Sequence, residues 1–304
     1  MNLGIKNGAY AAFVTPLQAD GVTINEQSVK DLVEFQINSG IDGLYVSGST
    51  GEAMILPDAV RMEMAELAIE YVNNRVPVIV HVGTPDTASA IRFAKHAQQI
   101  GADGISAVPP YYYRMTQDTI RRHYQAIADA CDLPFLLYNI PNLTGVNLDD
   151  QFIIEMSRYA NIVGCKFTDT NLEGLRKIKA VDQGRVQVFM GVDALLLSSL
   201  VLGSNGGIGT FYNVMPGPLS RICHAYWNND LETARSTQWE VCRYITIMKK
   251  YIGIGLHTGV KTILREIGID CGNVTPPLKQ LSPEDGQAMI AELRQEGFFS
   301  FIGV

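Results

Sequence analysis

Short apolar runs recur along the chain at 9–14, 43–47, 76–82, 104–108, 134–138, 163–166, 186–190 and 206–209. Each is only a few residues long and most are rich in Val, Ile, Leu, Ala, Phe or Tyr, so each is predicted as a strand buried on both faces. Between them lie segments whose apolar positions fall three and four residues apart. Examples are 29–39, 58–73, 87–100, 116–130 and 150–159, and this spacing predicts helices. Strand followed by helix, repeated eight times, is the pattern of an α/β (β/α)8 TIM barrel. A doubly wound open sheet would carry a glycine-rich phosphate loop after its first strand. Here the first strand runs into Thr15-Pro16-Leu17, which favours the barrel. Gly40-Ile41-Asp42-Gly43 and Gly101-Ala102-Asp103-Gly104 are near-repeats. In both, a glycine stands where a helix ends and a left-handed residue is wanted.

From residue 216 onward the strands stop and the period is helical, at 219–227, 231–251, 260–268 and 283–295. No Pro-, Gly- or Ser-rich linker intervenes. Residues 1–215 are therefore expected to form the barrel. Residues 216–304 are expected to form a C-terminal helical extension that completes it and packs on it in the same compact unit.

Composition narrows the partners. The 304 residues are 47% hydrophobic and 18% charged, with a net charge of −7. That supports a large core and argues against nucleic acid or an anionic membrane as a partner. No apolar run is long enough to span a bilayer, and Met1-Asn2-Leu3-Gly4-Ile5-Lys6 has no signal-like apolar stretch, so a cytoplasmic protein is expected. Cys131, Cys165, Cys223, Cys242 and Cys271 are widely spaced and are expected to be free thiols in a reducing compartment.

In a barrel of this kind, chemistry belongs at the C-terminal ends of the strands. Lys166 stands at the end of the sixth run, where burial disfavours an ammonium and favours the free amine that attacks a ketone. Cys165 beside it should point to the opposite face and be structural. Tyr138 ends the fifth run. It is either a core tyrosine or a proton carrier, and the second role needs a relay or a neighbouring cation. Gly48-Ser49-Thr50-Gly51-Glu52 follows the second run and is expected to lead straight into a helix. Its hydroxyls and N–H groups suit a carboxylate; the plainer reading is a helix cap. His81 is expected to be a packed residue. His96, His123, His224 and His257 fall in helix-like segments, and no spacing suggests a metal site. Asp149-Asp150 suits a helix start.

Taken in order, Gly48-Ser49-Thr50-Gly51-Glu52, Tyr138-Asn139-Ile140-Pro141, Lys166 and Gly206-Gly207-Ile208-Gly209 resemble the dihydrodipicolinate synthase / N-acetylneuraminate lyase superfamily. Gly259-Val260-Lys261-Thr262 and Pro276-Pro277-Leu278 extend the resemblance over nearly the whole chain. The resemblance implies class I aldolase chemistry with no cofactor beyond a covalent imine on Lys166, and no metal. It implies that Tyr138 moves the proton of the aldol oxygen. Ser49 would link Tyr138 to Tyr112, which reaches across a dimer interface. It further implies that Ser49 and Thr50 hold a carboxylate. Thr168, Gly191, Asp193, Gly209 and Thr210 would bind the rest of the substrate. A homotetramer built as a dimer of dimers is implied too.

Two positions bear on the branch. Where the synthases carry an arginine for their second substrate, this chain has Leu143, which cannot grip a carboxylate. Tyr45-Val46, His81-Val82-Gly83 and Gly209-Thr210-Phe211-Tyr212-Asn213 are similar to the lyases. Yet Asp193 is followed by Ala194, where lyases place a glutamate for the distal hydroxyls. The expected function is reversible cleavage of a 2-oxo acid, N-acetylneuraminate or a related 2-oxo-3-deoxy sugar acid, to pyruvate and an aldehyde. The alternatives are an imine-dependent dehydratase of a sugar acid and a non-catalytic 2-oxo-acid-binding protein.

Overall fold

The eight apolar runs are the eight strands. The computed structural model describes residues 4–159, 161–253 and 255–304. Its strands are β1 Gly8–Ala12, β2 Gly43–Val46, β3 Val78–His81, β4 Gly104–Ala107, β5 Phe135–Asn139, β6 Ile162–Phe167, β7 Gln187–Met190 and β8 Gly206–Gly209. They follow one another in chain order around a closed parallel barrel, with helices alternating and further helices after β8. This is the TIM barrel with C-terminal helices that the pattern predicts. Every strand residue except Val163 is buried, which is why the runs are mostly apolar and do not alternate.

Parallel strands have no hairpin turn to fix their register, so something else must. Asp42 and Asp103, from the two glycine near-repeats, do it the same way. The Asp42 carboxylate accepts from Ala9 N at 2.9 Å while Asp42 N donates to Ala9 O at 3.0 Å. The Asp103 carboxylate accepts from Val78 N at 2.8 Å while Asp103 N donates to Val78 O at 3.0 Å. A third copy, not recognised in the sequence, is Gly203-Ser204-Asn205-Gly206. There the Asn205 side-chain oxygen accepts from Val188 N at 3.0 Å, and Asn205 N donates to Val188 O at 2.7 Å. The leading glycines all take left-handed backbone, with φ of 84°, 85° and 93°. The start of β2, β4 or β8 is thus bolted to the strand before it.

The described residues pack as two compact units, one of residues up to 7 with 77–208, the other of 8–76 with 209–304. In the first, the N-terminal segment is held by Gln187, whose amide accepts from Ile5 N at 2.7 Å and donates to Ile5 O at 2.6 Å. In the second, the helices Pro216–Trp227, Leu231–Ile252, Leu256–Glu266 and Pro283–Gln295 follow β8. The third of these starts four residues before the expected position 260. Its cap, Gly255, has no side chain to accept a hydrogen bond, so the usual start signal is missing. Two short helices were not predicted, Pro141–Thr144 after β5 and Phe298–Ile302. The last is bracketed by left-handed Gly297 and Gly303. No helix of the described residues is long and apolar enough to cross a membrane.

The register clamp predicts an asymmetry between substitutions. Asp103→Asn keeps the acceptor oxygen, as Asn205 does naturally, and should be near neutral. Asp103→Ala leaves the Val78 N–H without its acceptor and should cost about 1–3 kcal/mol. Urea unfolding of the two variants checks this; equal stabilities would contradict the clamp.

Candidate active site

Lys166 and Tyr138 are brought together by a bulge. Phe135 pairs with Ile162, but Leu136 pairs with Gly164, so Val163 is skipped. Without that extra residue Tyr138 would face Cys165. With it, Tyr138 pairs with Lys166, and partners in register project to the same face. The Lys166 Nζ lies 4.2 Å from the centre of the Tyr138 ring, and both residues are buried. The bulge is anchored by Asn161. Its carbonyl accepts from Phe135 N at 2.8 Å, and its amide reaches the carbonyls of Ala128, Cys131 and Leu133 at 2.9–3.1 Å. Gly164 is required here, since a Cβ would come within 1.8 Å of the Gln187 carbonyl oxygen.

The neighbours of this pair behave as the sequence suggests. Cys165 is fully buried, and burial pushes its thiol up to about 12, so it is no thiolate nucleophile. His81 packs edge-on against Tyr138, with ring centres 5.9 Å apart. Its Nε2 accepts from Val108 N at 3.2 Å, so that nitrogen is unprotonated. Among the described residues no cluster of His, Cys, Asp and Glu could hold a metal ion.

The same unit carries Thr168, Gly191, Asp193 and Tyr112. The strand ladder continues past β6, with Thr168 N donating to Asn139 O and Gly191 N to Phe167 O. The Thr168 hydroxyl oxygen is buried with no protein hydrogen-bond partner. A Cβ on Gly191 would stand 1.9 Å from it, so the glycine makes room for the hydroxyl. Asp193 is buried at the start of a 3-10 turn, Asp193–Leu195, and Ala194 follows it. Asn139 pins the loop after β5, accepting from Leu148 N at 3.0 Å and donating to Asn147 Oδ1 at 3.3 Å. That loop carries Leu143, which is exposed. Tyr112 is 86% exposed, stacks edge-on with Tyr113 at 5.1 Å, and holds a φ of 80°, a strained value for a bulky side chain.

In the other unit, the loop after β2 differs from expectation. It does not run straight into a helix: turns continue to Ile55 and the next helix, Asp58–Val72, begins at Asp58. Ser49 and Thr50 therefore neither cap that helix nor sit at its N-terminus. The physical reason is that Ser47 and Glu52 are both left-handed, with φ of 57° and 61°, a conformation a helix cannot continue through. The Thr50 and Thr210 hydroxyls are 2.8 Å apart. Asn213 holds the Thr210 carbonyl at 2.8 Å and the Ala12 carbonyl at 2.7 Å, just past Gly209. The Thr15 hydroxyl donates to Gly51 O at 2.6 Å.

Two partners of this loop escaped the sequence reading. Glu52 forms an ion pair with Lys261 at 2.8 Å, both side chains being almost completely buried. The other Glu52 oxygen accepts from Thr275 N at 2.6 Å, and Lys261 Nζ also donates to Asn273 O at 2.9 Å. One turn before Lys261, His257 Nε2 lies 3.0 Å from Ser49 O. A glutamate and a lysine in separate glycine-bearing motifs were the only available sign, and nothing local joins them.

A parallel eight-stranded barrel with a buried amine at the end of its sixth strand has the framework of a barrel enzyme that works on carbonyl compounds. Residues 6–296 match the model of the dihydrodipicolinate synthetase family, and the chain belongs to that family. It is 37% identical over 228 residues to a 4-hydroxy-tetrahydrodipicolinate synthase of Geobacter sulfurreducens, covering 75% of this chain and 78% of that one. It is 32% identical over 289 residues to an N-acetylneuraminate lyase of Clostridium perfringens, covering 95% and 97%. The solved structure of a prophage protein of the dihydrodipicolinic acid synthase family from E. coli K12, in complex with pyruvate, superposes with a TM-score of 0.90 at 28% identity. The match covers 95% of this chain and 98% of that one. Enzymes of this family are lyases and synthases that use a lysine Schiff base with pyruvate and need no cofactor.

Proposed function

We propose that this chain is a Schiff-base lyase of the N-acetylneuraminate lyase branch. It reversibly cleaves N-acetylneuraminate or a related 2-oxo-3-deoxy sugar acid to pyruvate and an aldehyde. The observation that carries the reading is the buried Lys166 amine set over the Tyr138 ring. In this reading the amine attacks the C2 ketone, water leaves, and an iminium forms on Nζ. Tyr138 takes the proton of the C4 hydroxyl as the C3–C4 bond breaks. The bonding electrons pass to the iminium nitrogen and leave an enamine, and the aldehyde departs. Protonation at C3 and attack by water then release pyruvate and the free amine. A phenol acts as a base more readily beside a cation, and the iminium supplies one.

Ser49 and Thr50 are assigned to the substrate carboxylate, with Ser49 also linking Tyr138 to Tyr112. Thr168, Gly191, Asp193, Gly209 and Thr210 are assigned to the hydroxylated part of the substrate. The buried Thr168 hydroxyl, which lacks a protein partner, suits that role. The exposure and strained backbone of Tyr112 support its use by a second copy of the chain, within a homotetramer. Relatives of both names match, so the branch rests on side chains. Leu143, exposed at the position of the synthase arginine, favours the lyase. Ala194 favours a substrate with fewer distal hydroxyls than a sialic acid.

Four outcomes test this. Borohydride reduction in the presence of pyruvate should add one reduced pyruvate to the protein, mapped to Lys166. An unmodified Lys166 at saturating pyruvate would end the proposal. Tyr138→Phe should still be trapped by pyruvate yet cleave substrate about 10²- to 10⁴-fold more slowly; a parental cleavage rate would remove Tyr138 from proton transfer. Across a panel of sialic acids and shorter 2-oxo-3-deoxy sugar acids, free pyruvate should appear fastest from the shorter acids. Ala194→Glu should raise kcat/KM for N-acetylneuraminate by roughly 10- to 100-fold, the value of a hydrogen bond to a charged acceptor. A dehydrated oxo acid as product would favour the dehydratase instead.

A further inference from the structure

Ser49 O is the acceptor at the centre of the loop after β2. It takes the Glu52 N–H at 3.0 Å, which closes the turn. It also lies 3.0 Å from His257 Nε2. A carbonyl oxygen can only accept, so His257 donates and Nε2 carries the proton. Both lone pairs of Ser49 O are then engaged. The C=O of Ser49 and the N–H of Thr50 belong to one trans peptide and point in opposite directions. Fixing the carbonyl toward the helix Leu256–Glu266 therefore turns the Thr50 N–H away from that helix. The helix cannot shift independently, because Lys261 one turn further on is locked to Glu52 of the same loop. His257 and Lys261 are four apart and lie on one helix face, so the loop is gripped at both ends of its turn.

We infer that His257 is a positioning residue for the substrate carboxylate: its Nε2–H sets the orientation of the Ser49–Thr50 peptide that receives the carboxylate. The inference rests on the reading of Ser49 and Thr50 as the carboxylate site. His257 touches no reacting atom. Its effect should fall on capture of the anion and leave the bond-breaking step alone.

The experiment titrates borohydride trapping at Lys166 with pyruvate and, separately, with hydroxyacetone, a ketone of similar size with no carboxylate. In His257→Leu the pyruvate needed for half-trapping should rise about five- to ten-fold, as expected for one lost hydrogen bond. The hydroxyacetone titration should move by less than about two-fold, and so should kcat for cleavage at saturating substrate. His257→Gln, which can still donate to the carbonyl, should restore the pyruvate titration to within about two-fold of the parent. Should His257→Leu fail to fold, His257→Phe keeps a ring without the donor and is judged by the same titrations. A parental pyruvate titration in the donor-less variant overturns the inference. An equal shift for both ketones overturns it too, since that marks a general disturbance of the fold.

Thr50→Val separates this failure from failure of the underlying reading. If Thr50→Val weakens pyruvate capture and His257→Leu does not, the positioning role alone is wrong. If neither weakens it, the loop is not the carboxylate site and both fall.

Discussion

The register of the parallel strands is the constraint on which everything else rests. In a strand, side chains alternate, so a slip of one residue sends every side chain to the other face. A parallel barrel cannot set its registers with tight hairpins. This chain sets three with one device, a Gly-x-Asp/Asn-Gly segment whose acid or amide grips the backbone of the preceding strand on both N–H and C=O. The clamped strands are even-numbered, and among these the exception is the start of β6, where the Asn161 side chain holds helix and loop carbonyls instead. It is also there that the register jumps by one residue. The jump exchanges Cys165 for Lys166 opposite Tyr138. The pair at the heart of the site is thus a product of one irregularity fixed by one buried amide.

This explains what could and could not be seen in the sequence. Strands were legible because burial on both faces leaves continuous apolar runs. Lys166 and Tyr138 were legible because each closes such a run with a polar group. Their exact partnership was not, because a bulge leaves no mark: Val163 looks like any strand residue. The third clamp was missed because Asn205 stands for aspartate, although the acceptor oxygen is the same. The start of the helix that carries His257 was not legible, because Gly255 gives no capping signal. The loop after β2 was expected to enter a helix directly. Glycine content suggested the turn, but nothing in its composition reveals that Ser47 and Glu52 would hold left-handed backbone.

The residues proposed for chemistry and those proposed for selectivity lie on different kinds of element. Lys166 and Tyr138 sit buried on strands, as the reacting pair proposed for this chain must be to keep its geometry. Leu143 lies on a single helical turn, exposed, and Ala194 follows a strand in a short turn. Such positions can change without disturbing the barrel. Relatives with two different catalytic names match this chain at comparable identity, which is the expected result when a few loop side chains choose the second half of the substrate and the strands keep the first.

The loop after β2 shows how such a site is paid for. Two non-glycine residues in left-handed backbone cost of order 1–3 kcal/mol each, and they persist only if the surroundings demand them. The demand comes from Glu52, whose carboxylate is committed to Lys261 and to Thr275 N. A buried ion pair contributes little net stability when its desolvation is counted, but breaking it strands a charge in the interior. It acts as a latch: the loop cannot relax its strained ends without exposing or orphaning Glu52. His257 extends the latch to Ser49. The Ser49 carbonyl and the Glu52 carboxylate are consequently held by groups that take no part in the proposed chemistry, and preorganisation of the loop is carried by the C-terminal helices. Those helices are therefore part of the catalytic apparatus proposed for this chain, although no residue on them performs a chemical step.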